Sequence, residues 1–225
     1  MDERQILAIG GYPWDTALED YILEIARGDR VCLVPTASAD DSDYVVNFYE
    51  QFAHRARASH LLFHPWPPDG LREFALSQDV IYVAGGNSAN MLAIWRVHGF
   101  DRILREAWES GVLLAGWSAG MICWFEGAVT DSFGPELAAL RDGLGFLPGS
   151  ACPHYDGELQ RRPRYYELIR GGMPGGYAAD DRVGLHFRGT ELADVVAARD
   201  DGAAYRVELL GGEIVETRLE ARPLG

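Results

Sequence analysis

The chain has 225 residues, and its 34 acidic and 20 basic side chains give it a formal net charge of −14. All 20 basic residues are arginine, which excludes a Schiff-base lysine, a Ser-Lys dyad and a P-loop lysine. The negative charge argues against a nucleic-acid partner, because phosphate binding needs a basic surface.

The first half of the chain alternates apolar strands with helical patterns. The predicted strands cover 5–10, 31–34, 59–63, 80–84 and 112–115. A capping box at Thr16 to Glu19 marks the start of the first predicted helix. Further helices are predicted at 44–52, 88–97 and 101–109. Strands that are apolar throughout and separated by helices indicate a mostly parallel sheet covered on both faces. We therefore predict an α/β fold, a three-layer sandwich.

The last third of the chain has a different pattern. A helix is predicted at 164–170, and short strands follow over 177–220. Hairpin turns are predicted at Asp200-Asp201-Gly202 and at Gly211-Gly212. The sequence contains no repeat and no linker, so we expect a single domain over residues 1–225.

Composition also bears on cofactors and location. Cys32, Cys123 and Cys152 are too few and too scattered for a disulfide framework or a metal site. The glycine pairs at 10–11 and 85–86 lack the G-x-G-x-x-G spacing of a nucleotide site, so we expect neither metal nor cofactor. The N-terminus lacks the pattern of a signal peptide, and the uncharged stretches 80–95 and 111–125 are short of the roughly 20 residues of a membrane helix. We expect a cytoplasmic protein with no membrane partner.

Gly116-Trp117-Ser118-Ala119-Gly120 matches G-x-S-x-G, between a predicted strand and a helical stretch. A nucleophile on such a sharp turn needs small neighbours, so that the backbone can fold tightly and the substrate can approach. The N–H of the next residue and the start of the helix then favour a developing oxyanion. Ser118 is the candidate nucleophile, and Ala119 is a candidate oxyanion donor.

Gly85-Gly86-Asn87 follows the preceding predicted strand, and the carboxyl ends of neighbouring parallel strands gather at one edge of a sheet. Gly86 is therefore the candidate second oxyanion donor. Asn87 is a candidate substrate contact, and Asn87 or Ser88 is a candidate N-cap of the next helix; the two roles are compatible.

A nucleophilic serine needs a base. His154 lies in the rigid turn Cys152-Pro153-His154-Tyr155-Asp156 and is the best candidate. The remaining histidines have the patterns of surface, capping or structural residues: His54, His60, His64, His98 and His186. The acid that would orient the imidazole is left open among Asp131, Asp156, Asp180 and Asp181.

Taken in order, GWSAG on an elbow, an upstream GGN loop, a Pro-His-aromatic turn 36 residues after the serine and a later acid resemble the peptidase E family. These are aspartyl dipeptidase-like serine peptidases, with cyanophycinase as a more distant relative. The resemblance covers about residues 5–210 and implies a fold similar to class I glutamine amidotransferases.

The resemblance also implies roles for particular residues. Ser118 matches the nucleophile, His154 the base, and Gly86 and Ala119 the oxyanion donors. Asp181 falls where the family places its acid, usually a glutamate, and Asp131 stays a competitor.

For the substrate, the resemblance points to the arginines near 161. Arg161 aligns approximately with the arginine that binds the carboxylate of an N-terminal aspartate, with Arg162 and Arg164 as alternatives. A solvated helix start is the other interpretation of this cluster. A homodimer is implied as well.

Together these features predict a serine hydrolase acting on small peptides, of the dipeptidase type, without a firm indication of Asp-X specificity. One alternative is an amidase-type enzyme, although amidotransferases of this fold carry cysteine at the elbow. The other is a binding or sensing protein that keeps the fold and lacks turnover.

Overall fold

The computed structural model describes residues 4–11 and 14–225. Within these residues the chain forms fourteen strands and seven α-helices, with the strands in two sheets. The strands are β1 (Gln5–Ile9), β2 (Arg30–Val34), β3 (Arg57–His60), β4 (Val80–Val83), β5 (Leu113–Trp117), β6 (Phe125–Thr130), β7 (Ala138–Leu140), β8 (Leu147–Cys152), β9 (Gly176–Ala179), β10 (Val183–Arg188), β11 (Glu191–Ala197), β12 (Ala204–Leu210), β13 (Glu213–Leu219) and β14 (Arg222–Pro223). The helices are α1 (Thr16–Ile25), α2 (Ser42–Phe52), α3 (Leu71–Leu76), α4 (Ser88–His98), α5 (Phe100–Glu109), α6 (Ala119–Ile122) and α7 (Arg161–Arg170).

The larger sheet has the strand order β14-β11-β10-β1-β5-β4-β2-β3. From β1 to β3 all neighbouring strands are parallel, and β10 and β11 extend this core with antiparallel pairs. The predicted parallel sheet is therefore confirmed.

Alternate residues of β1 enter different cores, because side chains along a strand point to opposite faces. Leu7 and Ile9 pack with α1 and α2 on one face. Ile6 and Ala8 pack on the other face with residues of α4, α5 and the second sheet. Helices thus cover both faces of the larger sheet, as the sequence predicts.

The smaller sheet has the strand order β13-β12-β9-β8-β6-β7. One of its faces, which includes Ala128 and Ala151, shares the core of Ile6 and Ala8. Its other face packs against α7 through Cys152, Tyr165 and Ile169. The predicted C-terminal strands thus belong to two sheets.

Three local predictions are wrong in detail. The N-cap of α1 is Asp15, whose Oδ1 accepts the Ala17 N–H at 3.1 Å, so Thr16 is the first helical residue and not the cap. Strand β3 covers Arg57–His60 instead of 59–63. Helix α7 starts at Arg161 instead of 164.

The turn at Asp200-Asp201-Gly202 is not a hairpin, because β11 lies in the larger sheet and β12 in the smaller one. The Gly211-Gly212 hairpin between β12 and β13 is confirmed, and both glycines have the positive φ that a tight hairpin turn requires.

Candidate active site

Ser118 stands at the carboxyl end of β5, between β1 and β4, on a sharp turn with φ 54° and ψ −108°. These angles are unusual for a residue with a side chain and indicate a strained backbone held by its surroundings. The Ser118 N–H donates to Ile9 O at 3.1 Å. A Cβ on Gly120 would lie 2.2 Å from Val83 O, so this end of the motif must be glycine. The helix after the turn, α6, is only four residues long.

His154 lies in the loop after β8, with a positive φ of 52°. Its backbone N–H donates to Gly10 O at 3.1 Å, which ties this loop to the end of β1. Its Nε2 lies 2.9 Å from Ser118 Oγ, within hydrogen-bond distance. Of the candidate bases, His154 is therefore the one that meets the elbow serine.

Asp181 follows β9 and places its Oδ1 2.7 Å from His154 Nδ1. The two side chains are about one-fifth exposed, at 20% and 21%. None of the other three candidate acids forms a hydrogen bond with the ring. The Asp156 carboxylate accepts the Asp181 N–H at 2.9 Å, Asp180 accepts the Ala203 N–H at 3.0 Å, and Asp131 lines the cleft in front of Ser118.

Gly11, which is not among the predicted site residues, lies against the His154–Asp181 pair. A Cβ at this position would be 2.1 Å from Asp181 Oδ1 and 2.3 Å from His154 Nδ1. Only glycine therefore lets the loop after β1 pass this pair. Its signal in the sequence is the Gly10-Gly11 pair at the end of β1.

The candidate oxyanion donors flank the serine. Gly86 lies in the loop after β4. A hydrogen bond of 2.8 Å from the Asn87 N–H to Ala37 O holds this loop in place. Ala119 begins α6, where a backbone N–H has no partner within the helix. Neither N–H donates a hydrogen bond to another residue within 4–11 and 14–225.

Asn87 is the N-cap of α4. Its Oδ1 accepts the Asn90 N–H at 2.9 Å, and its Nδ2 donates to Ser132 O at 3.0 Å. The capping interpretation is thus confirmed, although Asn87 also lines the cleft. Its amide is held by the protein itself.

A polar cleft of about 240 Å³ opens in front of Ser118. Its lining residues are Gly86, Asn87, Ser118, Asp131, His154, Glu158 and Arg161. Glu158 belongs to none of the motifs described above.

Arg161 is only 3% exposed, so it is not part of a solvated helix start. Its Nε donates to Glu158 Oε2 at 2.8 Å, and its Nη2 to Glu158 Oε1 at 3.3 Å. Arg162 stacks on Tyr155 and Arg164 donates to Leu137 O, so neither lines this cleft.

A second set of contacts holds the backbone of Asp181 in place. Asp156 accepts the Asp181 N–H through Oδ1 and the Arg199 Nη1 through Oδ2, at 2.9 and 2.6 Å. Arg199 also contacts the exposed Asp201 at 2.8 Å. This series of contacts links the loop before β12 to Asp181, the carboxylate beside His154.

Asp180, which follows β9, and His186, in β10, are buried ionisable groups. Burial raises the pKa of the Asp180 carboxyl to about 6. Burial lowers the pKa of His186 to about 4, and its ring is bonded to Tyr21 and Gln5 at 2.8 and 2.9 Å. The structural role expected for His186 is confirmed.

Cys123 is fully buried, and burial raises the pKa of its thiol well above the usual value. It therefore does not offer a thiolate beside the elbow. In the described residues, no three or more His, Cys, Asp or Glu side chains are arranged to hold a metal ion. None of the helices in residues 4–11 and 14–225 is long and apolar enough to cross a membrane.

Comparisons with known proteins found a matching family model and a similar protein. The model of peptidase family S51 matches residues 6–195. A protein of Bacillus subtilis (strain 168) named "Uncharacterized peptidase YgaJ" is 47% identical over 99% of this chain and 100% of its own length.

Two solved structures share the fold. A peptidase from an acI-B1 Actinobacterium is 20% identical, with a TM-score of 0.68 over 96% of this chain and 94% of its own. A putative peptidase E protein from Listeria monocytogenes EGD-e is 17% identical, with a TM-score of 0.65 over 96% of this chain and 99% of its own.

Proposed function

The chain belongs to peptidase family S51, and we propose that it is a serine peptidase that cleaves small peptides with Ser118, His154 and Asp181. The observation that carries the proposal is the continuous contact from Ser118 Oγ to His154 Nε2, at 2.9 Å, and from His154 Nδ1 to Asp181 Oδ1, at 2.7 Å. A nucleophile bonded to a base, and a base bonded to an orienting acid, is the geometry that acyl transfer needs.

In the proposed reaction, His154 Nε2 takes the Ser118 proton while Oγ attacks the peptide carbonyl carbon. Asp181 holds the Nδ1 proton and stabilises the imidazolium that forms. The tetrahedral intermediate collapses when His154 gives its proton to the leaving amine. Water then attacks the acyl-enzyme while His154 takes a proton from it, and His154 returns this proton to Ser118 Oγ as the bond between Oγ and the acyl carbon breaks and the product acid leaves.

The oxyanion of this intermediate needs hydrogen-bond donors that are already in place. Gly86 and Ala119 supply them in this proposal, since both backbone N–H groups are free of partners within the described ranges. Asn87 fixes the loop of Gly86 through its contacts with Ala37 and Asn90.

The cleft supports a short peptide as the substrate. Its volume of about 240 Å³ is below the ~300–1,000 Å³ that is typical of sites for drug-sized ligands. Its lining is polar, which suits a substrate with charged termini.

Hydrolysis of a panel of dipeptides by the wild type and by Ser118→Ala tests the proposal. We expect turnover by the wild type and a loss of several orders of magnitude in the variant. A Ser118→Ala protein that keeps full activity would contradict the mechanism, and a wild type that cleaves nothing and reacts with no serine-directed reagent would support a binding protein instead.

A further inference from the structure

The cleft in front of Ser118 carries an uneven set of charges. Asp131 and Glu158 bring two carboxylates to its lining, and Arg161 brings one guanidinium. One negative charge is therefore left without a counter-ion in the cleft.

Arg161 is already engaged by the protein. Its guanidinium meets both Glu158 oxygens, at 2.8 and 3.3 Å, and its Nη1 donates to Val129 O at 3.4 Å. With 3% exposure, it is held in this place by packing. A substrate carboxylate at Arg161 would share the guanidinium with Glu158, and it would lie in the same cleft as Asp131.

Asp131 is the carboxylate without a partner. It is exposed at the cleft and forms no ion pair with any residue in 4–11 or 14–225. Its neighbour Ser132 is fixed by Thr130 Oγ1 at 2.7 Å and by the Ser88 N–H at 2.9 Å. The backbone that carries Asp131 is therefore anchored to the start of α4, and its charge stays at the cleft.

We propose that the cleft binds a cationic group of the substrate and that Asp131 is its counter-ion. This inference rests on the proposed peptidase function and specifies its substrate class. The preferred substrates are short peptides that bring an ammonium group next to the scissile bond, and an acidic first residue is disfavoured. The ammonium comes either from the free amino terminus or from a basic first side chain.

The test compares Ala-Leu, Lys-Leu and Asp-Leu with the N-acetylated forms of Ala-Leu and Lys-Leu. For the wild type we expect the ammonium-bearing peptides to be cleaved with higher kcat/KM than Asp-Leu and acetyl-Ala-Leu. Loss of cleavage on acetylation of both peptides assigns the cation to the amino terminus. Retained cleavage of acetyl-Lys-Leu assigns it to the side chain.

The variant Asp131→Asn keeps the shape of the side chain and removes its charge. We expect its KM for the preferred peptides to rise by about 10- to 100-fold, the effect of losing a hydrogen bond between charged groups, while kcat changes little. The matched control is Glu136→Gln, an exposed carboxylate on the same loop that does not line the cleft. It should leave both constants unchanged.

A second variant tests the pairing of Arg161. Glu158→Gln removes the charge that neutralises Arg161, so the activity on Asp-Leu should rise relative to Ala-Leu. An unchanged ratio would contradict the part assigned to Glu158.

Labelling with a fluorophosphonate separates this inference from the proposed function, because the reagent carries no ammonium group. A wild type that is not labelled would show that the proposed serine mechanism is wrong. If wild type and Asp131→Asn are both labelled normally, two results would overturn the cation site alone. One is that Asp-Leu is cleaved best, and the other is that the two proteins have equal KM values for the preferred peptides. Normal labelling with no peptide cleaved would overturn it as well.

Discussion

His154 Nδ1 lies 2.7 Å from Asp181 Oδ1 and so joins the loops that follow β8 and β9, two neighbouring parallel strands of the smaller sheet. Ser118 comes from β5 of the larger sheet. The candidate site therefore depends on how the two sheets meet. The loop after β1, in the larger sheet, is hydrogen-bonded to the loops after β8 and β9. Gly10 O accepts the His154 N–H at 3.1 Å, and Gly11 O accepts the Arg182 N–H at 3.0 Å.

Replacing Asp181 by Asn tests the acid. The amide keeps the size of the side chain but favours the wrong tautomer of His154, so kcat should fall by roughly 10³- to 10⁴-fold. Steady-state kinetics on the best dipeptide measures this loss. Asp131→Asn is the comparison, and a larger loss of kcat in that variant than in Asp181→Asn would reverse the assignment.

Gly11→Ala tests the close approach at the pair. The new methyl group would stand 2.1 Å from Asp181 Oδ1, so either the carboxylate or the loop must move. Misplacement of a catalytic group by about 1 Å costs roughly 100-fold in rate, and we expect a kcat loss of that order. A variant that keeps wild-type kcat together with an unchanged melting temperature would show that the pair tolerates the shift.

Asp156→Ala tests the support behind Asp181. The change removes the acceptor of the Asp181 N–H, so kcat should fall about tenfold while KM stays near the wild-type value. Asp201→Ala is the control, because Asp201 contacts Arg199 but not Asp181, and its side chain is 83% exposed. Equal effects of the two variants would argue that Asp156 acts only on general stability.

Two buried groups have opposite effects on the free energy of unfolding between about pH 4 and pH 6. The pKa of Asp180 rises from 3.8 to about 6 on folding, so the folded state binds more protons and loses stability as the pH rises through this range. The pKa of His186 falls from 6.5 to about 4, so the folded state binds fewer protons and gains stability as the pH rises.

Asp180→Asn removes the first of these effects. Relative to the wild type, the variant should therefore gain up to about 3 kcal/mol of stability as the pH rises from 4 to 7, since each unit of pKa shift corresponds to about 1.4 kcal/mol. Urea unfolding of both proteins at several pH values measures the difference. A difference between variant and wild type that does not vary with pH would show that Asp180 does not titrate in this range.

Local chemistry accounts for what the sequence could predict. The elbow at Ser118 has a short motif that can be recognised in the sequence, and His154 stands in a turn whose proline is visible there. The apolar strands likewise predict a parallel sheet with helices on both faces.

Contacts between distant segments account for the features that the sequence could not predict. The choice among four aspartates depends on the strand order β8-β9, and the proximity of Gly11 to His154 depends on the meeting of the two sheets. Asp200-Asp201-Gly202 has the composition of a hairpin turn, but β11 pairs with β10 and β12 with β9, so the chain crosses between sheets there. The homodimer implied by the resemblance stays a prediction.

The central claim is that His154 activates Ser118 as a nucleophile. Reaction of the protein with a fluorophosphonate, followed by mass spectrometry of its peptides, tests this claim most directly. We predict one phosphonyl adduct on Ser118, formed much more slowly in His154→Gln and absent from Ser118→Ala. An adduct on another residue, or equal labelling of wild type and Ser118→Ala, would contradict it.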